Sequence, residues 1–358
     1  MKRKRITVIG AGNGGQAMAG FLAMTGHAVN LYTRSASNYL ITSRKNKITL
    51  KGAIAGVGVV SCITDNIEMA IKGSEIILIA TTADVHKIIA QQIAPHISPN
   101  QIIVLNPGRT FGAIEVRVEL ERLSQSAKDV VIGEAQSLVY ACRASEFGTV
   151  NIIGKKDKVL IAAYPRKDNK AVMNVMNELF DCFEEADSVL TTSLENIGAI
   201  FHPSVVLFNA AAIERGNDFF FYNDMTPAIA DFLLCIDEER LNVGKALGLK
   251  LMGIEKWVSY AYPNIQGSDL CEKMRNNPAY FKILAPKSIG SRLITEDVPT
   301  GLVPISQVGD FVGVSTSLMK SVIHICSSLV GINFWKTGRN IDSLGLTNKS
   351  KNQFFNQL

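Results

Sequence analysis

The stretch ITVIGAGNGG, Ile6 to Gly15, decides the architecture. Ile6-Thr7-Val8-Ile9 is a short β-branched run that reads as a buried strand; it ends on Gly10-x-Gly12-x-x-Gly15, and Gln16 to Met24 is a good helix former. Strand, glycines and helix in that order form the dinucleotide-binding fingerprint in its required context. Gly10 permits the tight turn, Gly12 lets the backbone approach a pyrophosphate, Gly15 lets the helix pack close to the strand, and the helix N-terminus attracts the anion. Asn13 and Gly14 lie inside the same turn and are assigned to the cofactor with the three glycines. The alternative is a tight strand-to-helix turn with no ligand.

Outward from this turn, the next strand runs from Ala28 to Tyr32 and ends in Thr33-Arg34-Ser35. An acidic residue there would bind the ribose hydroxyls of NAD; a cation flanked by hydroxyls suits a 2′-phosphate, with Arg34 as its partner. NADP(H) is therefore favoured and NAD(H) remains possible, since Arg34 could instead stack on the adenine. Strands at Glu75 to Ala80, Gln101 to Leu105 and Val130 to Ile132 alternate with helical stretches at Asn66 to Lys72, Ala83 to Ala94 and Ala113 to Leu123. Alternation of this kind predicts an α/β fold with a doubly wound parallel sheet, which binds ligands beyond the carboxyl ends of its strands. Those ends place Thr81 and Asn106 at the cofactor and Glu134 at the substrate, although Glu134 could equally be a solvated loop carboxylate. A hairpin is expected from Asn151 to Tyr164, turning at Lys155 to Lys158, then a helix from Asn169 to Glu184 and a short strand near Ser188 to Leu190. The expected domains are 1–187, dinucleotide-binding, and 188–358, substrate-binding.

The chain has 358 residues, 47% of them hydrophobic and 19% charged, which suits an ordinary globular protein of two domains. The net charge of +5 is mild, and no Lys/Arg run is interleaved with aromatics as a nucleic-acid surface requires. No apolar stretch is long enough to span a bilayer, and the basic MKRKR start is followed by a short apolar run that breaks at Gly10, unlike an export signal. Cys62, Cys142, Cys182, Cys235, Cys271 and Cys326 have no metal-ligand spacing and read as reduced thiols. A cytoplasmic enzyme of anionic small molecules, without metal, is the expectation.

Beyond Leu194 strand signals nearly vanish, so an all-helical second domain is predicted, with the site in the cleft between the two. His202 stands out in Ala199-Ile200-Phe201-His202-Pro203, because the proline removes one helical hydrogen bond and opens the turn. Asn196 and Asn209 share its face at helical spacing, and Asn209 is assigned to the substrate. A core histidine bonded to a carbonyl is the alternative. Histidine is the natural proton-exchanging group near neutral pH, and a carboxylate beside it would hold its tautomer. TEDVPTGLVP, Thr295 to Pro304, reads as a rigid acidic loop that offers Glu296 and Asp297 for that task.

GAGNGG at 10–15, LNPGRTFGAIE at 105–115, GEAQSLVYACR at 133–143, FHP at 201–203 with LFNAA at 207–211, EDVPTGLVP at 296–304 and GRNIDSLGL at 338–346 together resemble the opine dehydrogenases. The likeness runs over essentially the whole chain. It implies a helical second domain like that of 6-phosphogluconate dehydrogenase. It also implies an enzyme that condenses the amino group of an amino acid with a 2-oxo acid such as pyruvate and reduces the imine with NAD(P)H. The family's HP and EDV motifs put a catalytic dyad on His202 and Asp297, and its carboxylate-binding arginine falls on Arg292. A guanidinium holds a planar carboxylate bidentately. A homodimer is expected. One departure is Thr33-Arg34-Ser35, where the member compared most closely has an aspartate, so the likeness does not carry cofactor choice. Two rival readings stand beside this one: a ketopantoate reductase-like 2-oxo or 3-hydroxy acid dehydrogenase using Lys245 or Lys256, and an NADP(H)-sensing regulator without chemistry.

Overall fold

The computed structural model describes residues 2–35, 46–262 and 264–355. The chain divides into two compact units, Met1–Ser193 with Gln353–Leu358, and Leu194–Asn352.

Among the described residues, twelve strands fall in the first unit: β1 Arg5–Ile9, β2 Ala28–Tyr32, β3 Lys47–Gly52, β4 Gly56–Val59, β5 Cys62–Thr64 and β6 Ile76–Ile79 in its first half. They are followed by β7 Ile102–Leu105, β8 Val131–Ala135, β9 Tyr140–Glu146, β10 Thr149–Lys155, β11 Val159–Tyr164 and β12 Phe183–Glu185. Eight of them form one sheet in the order β12-β11-β8-β7-β6-β1-β2-β5. The six strands from β5 to β8 are parallel, with β1 and β6 adjacent at the point where strand order reverses. That is the doubly wound arrangement expected, and its ligand crevice lies beyond β1 and β6. Residues 6–9 and 76–79 are buried without alternation, as parallel strands covered on both faces must be.

The second sheet, β4-β3-β10-β9, was not expected. Helix Asn13–Met24 contacts β1 and β2 of the large sheet and β3, β4 and β9 of the small one. Glycines make that contact close: a Cβ on Gly58 would lie 2.1 Å from the Gly20 carbonyl oxygen. The predicted hairpin over 151–164 is overturned, because β10 pairs with β3 and β9 whereas β11 pairs with β8 and β12. The burial patterns give the reason. β10 alternates, as on a half-exposed sheet, while β11 is almost continuously buried. Two further expectations fail locally. The helix from Asn169 stops at Phe180, where Asp181 turns left-handed at φ 50°, and the strand expected at 188–190 is instead helix Val189–Leu194.

The second unit is helical, as predicted; its longest helices are Gly198–Phe208, Pro227–Ala246, Val303–Val312 and Ser317–Val330. The expected loop at 295–304 is continuous helical backbone: a turn Arg292–Thr295, a single π-helical turn Val298–Leu302, then helix Val303–Val312. Pro299 and Pro304 each occupy the second position of a segment; each lacks the N–H that would bond back to the preceding turn, and the helical backbone passes them through the single π-helical turn.

Candidate functional site

The glycine turn has the form a dinucleotide needs. Gly10 sits at φ +106°, and a Cβ there would meet the Thr81 methyl at 2.9 Å across the strand-order reversal. A Cβ on Gly15 would lie 1.7 Å from the Gly10 carbonyl oxygen, so helix and strand approach as only glycine allows. The Cβ position of Gly12 instead faces open space, leaving the backbone accessible to a pyrophosphate. Asn13 and Gly14 brace the turn: Asn13 Oδ1 accepts from the Ala144 N–H at 2.9 Å, and Gly14 lies under the Leu138 side chain. Beyond β6 and β7, buried polar atoms have no hydrogen-bond partner among the described residues: the hydroxyl oxygen of the half-buried Thr81 and both ends of the fully buried Asn106 carboxamide. Buried polar atoms of this kind are rare unless a ligand or water satisfies them. Together with the open Gly12 backbone they fit a nicotinamide dinucleotide. Arg34 is exposed on the turn after β2, and Thr33 Oγ1 accepts from the Ser35 N–H at 3.5 Å.

Glu134 lies at the end of β8 but has no exposure. Its carboxylate accepts from the Ala113 N–H at 2.9 Å, the Thr192 hydroxyl at 2.7 Å and the Ser193 hydroxyl at 2.6 Å. It thus fastens the start of helix Gly112–Leu123 to helix Val189–Leu194, a bracing position that presents no carboxylate to a substrate. Both roles weighed from sequence, substrate ligand and solvated loop carboxylate, give way to this one. Spacing could not show it, because its partners lie 21, 58 and 59 residues away.

In the second unit, helix Gly198–Phe208 carries His202, and the π-helical turn packs on that helix. The approach is tight because a Cβ on Gly301 would lie 2.4 Å from the Ala199 Cβ. It brings Asp297, which immediately precedes the π-helical turn, to His202: Nδ1 and Oδ2 are 2.8 Å apart. Arg339 donates its N–H to the Pro299 carbonyl at 2.9 Å and secures the turn from behind. A carboxylate only accepts, so the His202 Nδ1 carries the proton and Nε2 is left with the lone pair. The Asp297 side chain is 3% exposed and that of His202 is 21% exposed, so the carboxylate is buried while the imidazole it anchors keeps partial exposure. An imidazole held in this way can take a proton at Nε2 and return it. Pro203 follows directly inside the helix.

Arg292 is exposed, and its Nε lies 3.4 Å from Glu296 Oε2, the other carboxylate of the acidic pair. Of Glu296 and Asp297, the one facing His202 is Asp297. Asn209 turns back on its own helix, donating from Nδ2 to the Val205 carbonyl at 2.9 Å. Lys245 and Lys256, required by the reductase-like alternative, are exposed on helices Pro227–Ala246 and Ile254–Ala261.

A residue not singled out from the sequence also meets the histidine. The Tyr222 hydroxyl is 3.3 Å from His202 Nε2, and its ring stacks on Tyr280 with centroids 4.3 Å apart. Burial, then Tyr262 and Asp297, push this phenol well above its usual range, so it stays neutral. The available signal was the run Phe219-Phe220-Phe221-Tyr222 after the turn at Gly216.

Residues 185–330 match the family model of the NAD/NADP octopine/nopaline dehydrogenase alpha-helical domain, and residues 5–140 match that of the NAD-dependent glycerol-3-phosphate dehydrogenase N-terminus. An opine dehydrogenase of Arthrobacter sp. (strain 1C) is 34% identical over 349 residues, covering 97% of this chain and 96% of the relative. The fold is shared with an octopine dehydrogenase solved with NADH and L-arginine, at a TM-score of 0.82, 21% identity and 96% coverage of both chains. It is also shared with a yersinopine dehydrogenase solved with NADP+, at a TM-score of 0.73, 13% identity, and coverage of 99% of this chain and 97% of that one. By its end-to-end likeness to the Arthrobacter enzyme, the chain belongs to the opine dehydrogenases, NAD(P)-dependent oxidoreductases that condense an amino acid's amino group with a 2-oxo acid by reduction of an imine.

Proposed function

We propose that the chain carries out this reaction with His202 as its proton-exchanging residue, Asp297 as the group that holds it, and Arg292 as the ligand of a substrate carboxylate. The single observation that carries the reading is the 2.8 Å contact between His202 Nδ1 and Asp297 Oδ2, joining residues 95 positions apart. The substrates are an amino acid and a 2-oxo acid such as pyruvate.

The amine must lose its proton before it attacks the oxo-acid carbonyl, and His202 Nε2 is the atom that takes it. The same Nε2 returns that proton to the carbinolamine oxygen, which takes its other proton from the attacking nitrogen, so that water leaves and an iminium remains. Asp297, buried and negatively charged, favours the imidazolium that forms in between, as the aspartate of a catalytic triad does. The reduced nicotinamide supplies the hydride when bound. Gly10, Gly12, Asn13, Gly14 and Gly15 hold its pyrophosphate, Thr81 and Asn106 supply polar contacts beyond β6 and β7, and Arg34 takes the 2′-phosphate of NADP(H), the favoured cofactor. Glu134 braces the N-terminal unit and Asn209 caps its own helix, so neither is assigned to the substrate.

The protein works in the cytoplasm as a homodimer in this reading. No helix among the described residues is long and apolar enough to cross a membrane. Ile325 and Leu329, one turn apart on helix Ser317–Val330, are each 47% exposed and offer an apolar stripe for a second copy. General acid-base catalysis contributes about 100- to 10,000-fold. His202→Ala is therefore expected to lower turnover by that order, with cofactor affinity measured by fluorescence titration nearly intact; near-normal turnover would sink the assignment.

A further inference from the structure

We propose that Tyr222 is a positioning residue of the active site, whose hydroxyl holds His202 Nε2 and follows its proton. The inference rests on the dyad reading above and extends it to a third member.

The imidazole is contacted at both nitrogens. Nδ1 meets Asp297 at 2.8 Å and Nε2 meets the Tyr222 hydroxyl at 3.3 Å. A carboxylate can only accept, but a phenol both donates and accepts. The Tyr222 hydroxyl can therefore donate to Nε2 while the imidazole is neutral and accept from it while the imidazole is charged. Asp297 has one polarity to offer; Tyr222 has the two that a group cycling between acid and base requires. The distance is longer than a strong bond of this type, so substrate can displace the hydroxyl from Nε2 without large loss.

Tyr222 is held where it is by more than its own side chain. Phe221 donates its N–H to the Ile283 carbonyl at 2.8 Å, and Ala285 donates to the Phe219 carbonyl at 3.0 Å, a bridge between the two segments. Asn223 continues the attachment, donating from Nδ2 to the Arg275 carbonyl at 2.6 Å and accepting from the Lys282 N–H at 2.9 Å. The Tyr222 ring lies nearly parallel to that of Tyr280, at 17°, and the Tyr262 hydroxyl donates to the Tyr280 hydroxyl at 3.0 Å. Phe201 and Phe221 pack against the imidazole from the sides, with centroids 6.2 and 6.1 Å from it. The charged and titratable groups on this side of the helix are Asp297, with Arg292 and Glu296 on the turn before it, and Tyr222, Tyr262 and Tyr280. Among the described residues, Asp297 and Tyr222 are the hydrogen-bond partners of the ring nitrogens.

The test is Tyr222→Phe, which keeps the ring and its stacking and deletes one oxygen. Loss of one modest hydrogen bond predicts a fall in kcat of about three- to tenfold, with KM for the cofactor and the melting temperature little changed. A positioning role further predicts that the pH profile of kcat for the variant differs from that of wild type, which a merely structural side chain would leave in place. In a His202→Ala background the same change is expected to have no further effect on the residual rate. A Tyr222→Phe enzyme whose kcat and pH profile superimpose on wild type overturns the inference, as does an equal fall in rate with His202 present and absent. If His202→Ala itself turns over normally, the dyad reading fails first, so the two failures are distinguishable.

Discussion

Gly301 touches neither substrate nor cofactor in the reading above, yet adding one methyl group there is expected to disable the enzyme. The ideal Cβ of an alanine at 301 falls 2.4 Å from the Ala199 Cβ and 3.3 Å from its Cα. Carbon atoms in contact sit about 3.5–4.0 Å apart, so the π-helical turn must lift by about 1 Å. Asp297 lies at the head of that turn, and its 2.8 Å bond to His202 would open to a separation at which a hydrogen bond no longer forms. A displacement of that size at a catalytic group lowers kcat by on the order of 100-fold, and overpacking a filled core costs about 1–3 kcal/mol. The measurements are steady-state NAD(P)H oxidation at saturating substrates and a thermal melt. Melting should fall by a few degrees. Ala199→Gly removes the methyl that Gly301→Ala strikes, and position 199 is the second residue of its helix, where glycine is tolerated better than in the interior. The double variant should therefore recover most of both losses. A single variant within twofold of wild-type kcat, or a double variant that regains stability without turnover, would refute the argument.

Two further outcomes follow from other parts of the structure. Arg34→Ala removes one charge-assisted contact, so KM for NADPH is expected to rise about ten- to a hundredfold while KM for NADH barely moves; equal effects on both would assign Arg34 to the adenine instead. Burial pushes the thiols of Cys142 and Cys182 up to about 11 and that of Cys326 up to about 12, whereas Cys235 is exposed, so native-state alkylation followed by peptide mass mapping should label Cys235 first.

How much of this was legible in advance depended on the range of the interaction concerned. The strand, turn and helix at the start of the chain were readable because Ile6 to Gly15 contains its own instructions: a β-branched run, glycines where the backbone must turn or be approached, and a helix start. His202 was conspicuous because Pro203 follows it in an otherwise apolar helix. The small sheet escaped notice because β3 pairs with β10 across about a hundred residues, and nothing local in either strand names its partner. The same limit misplaced β11, whose continuous burial fits the large sheet and not a hairpin with β10. Glu134 looked like a ligand at the end of a strand because the hydroxyls that occupy it arrive from Thr192 and Ser193.

The sequence by itself determined the glycine turn, the alternating first unit, the helical second unit and a histidine suited to proton exchange. It also contained a family likeness that joined His202 to Asp297 before any distance was known. Tertiary structure alone decided how the two meet. A glycine at 301 lets a π-helical turn lie against Ala199, which sets Asp297 on Nδ1, and a segment tied to residues 275–285 sets Tyr222 on Nε2. Local propensities govern neighbours within a few residues, whereas the chemistry of an imidazole is set by whichever groups close packing presses against its two nitrogens.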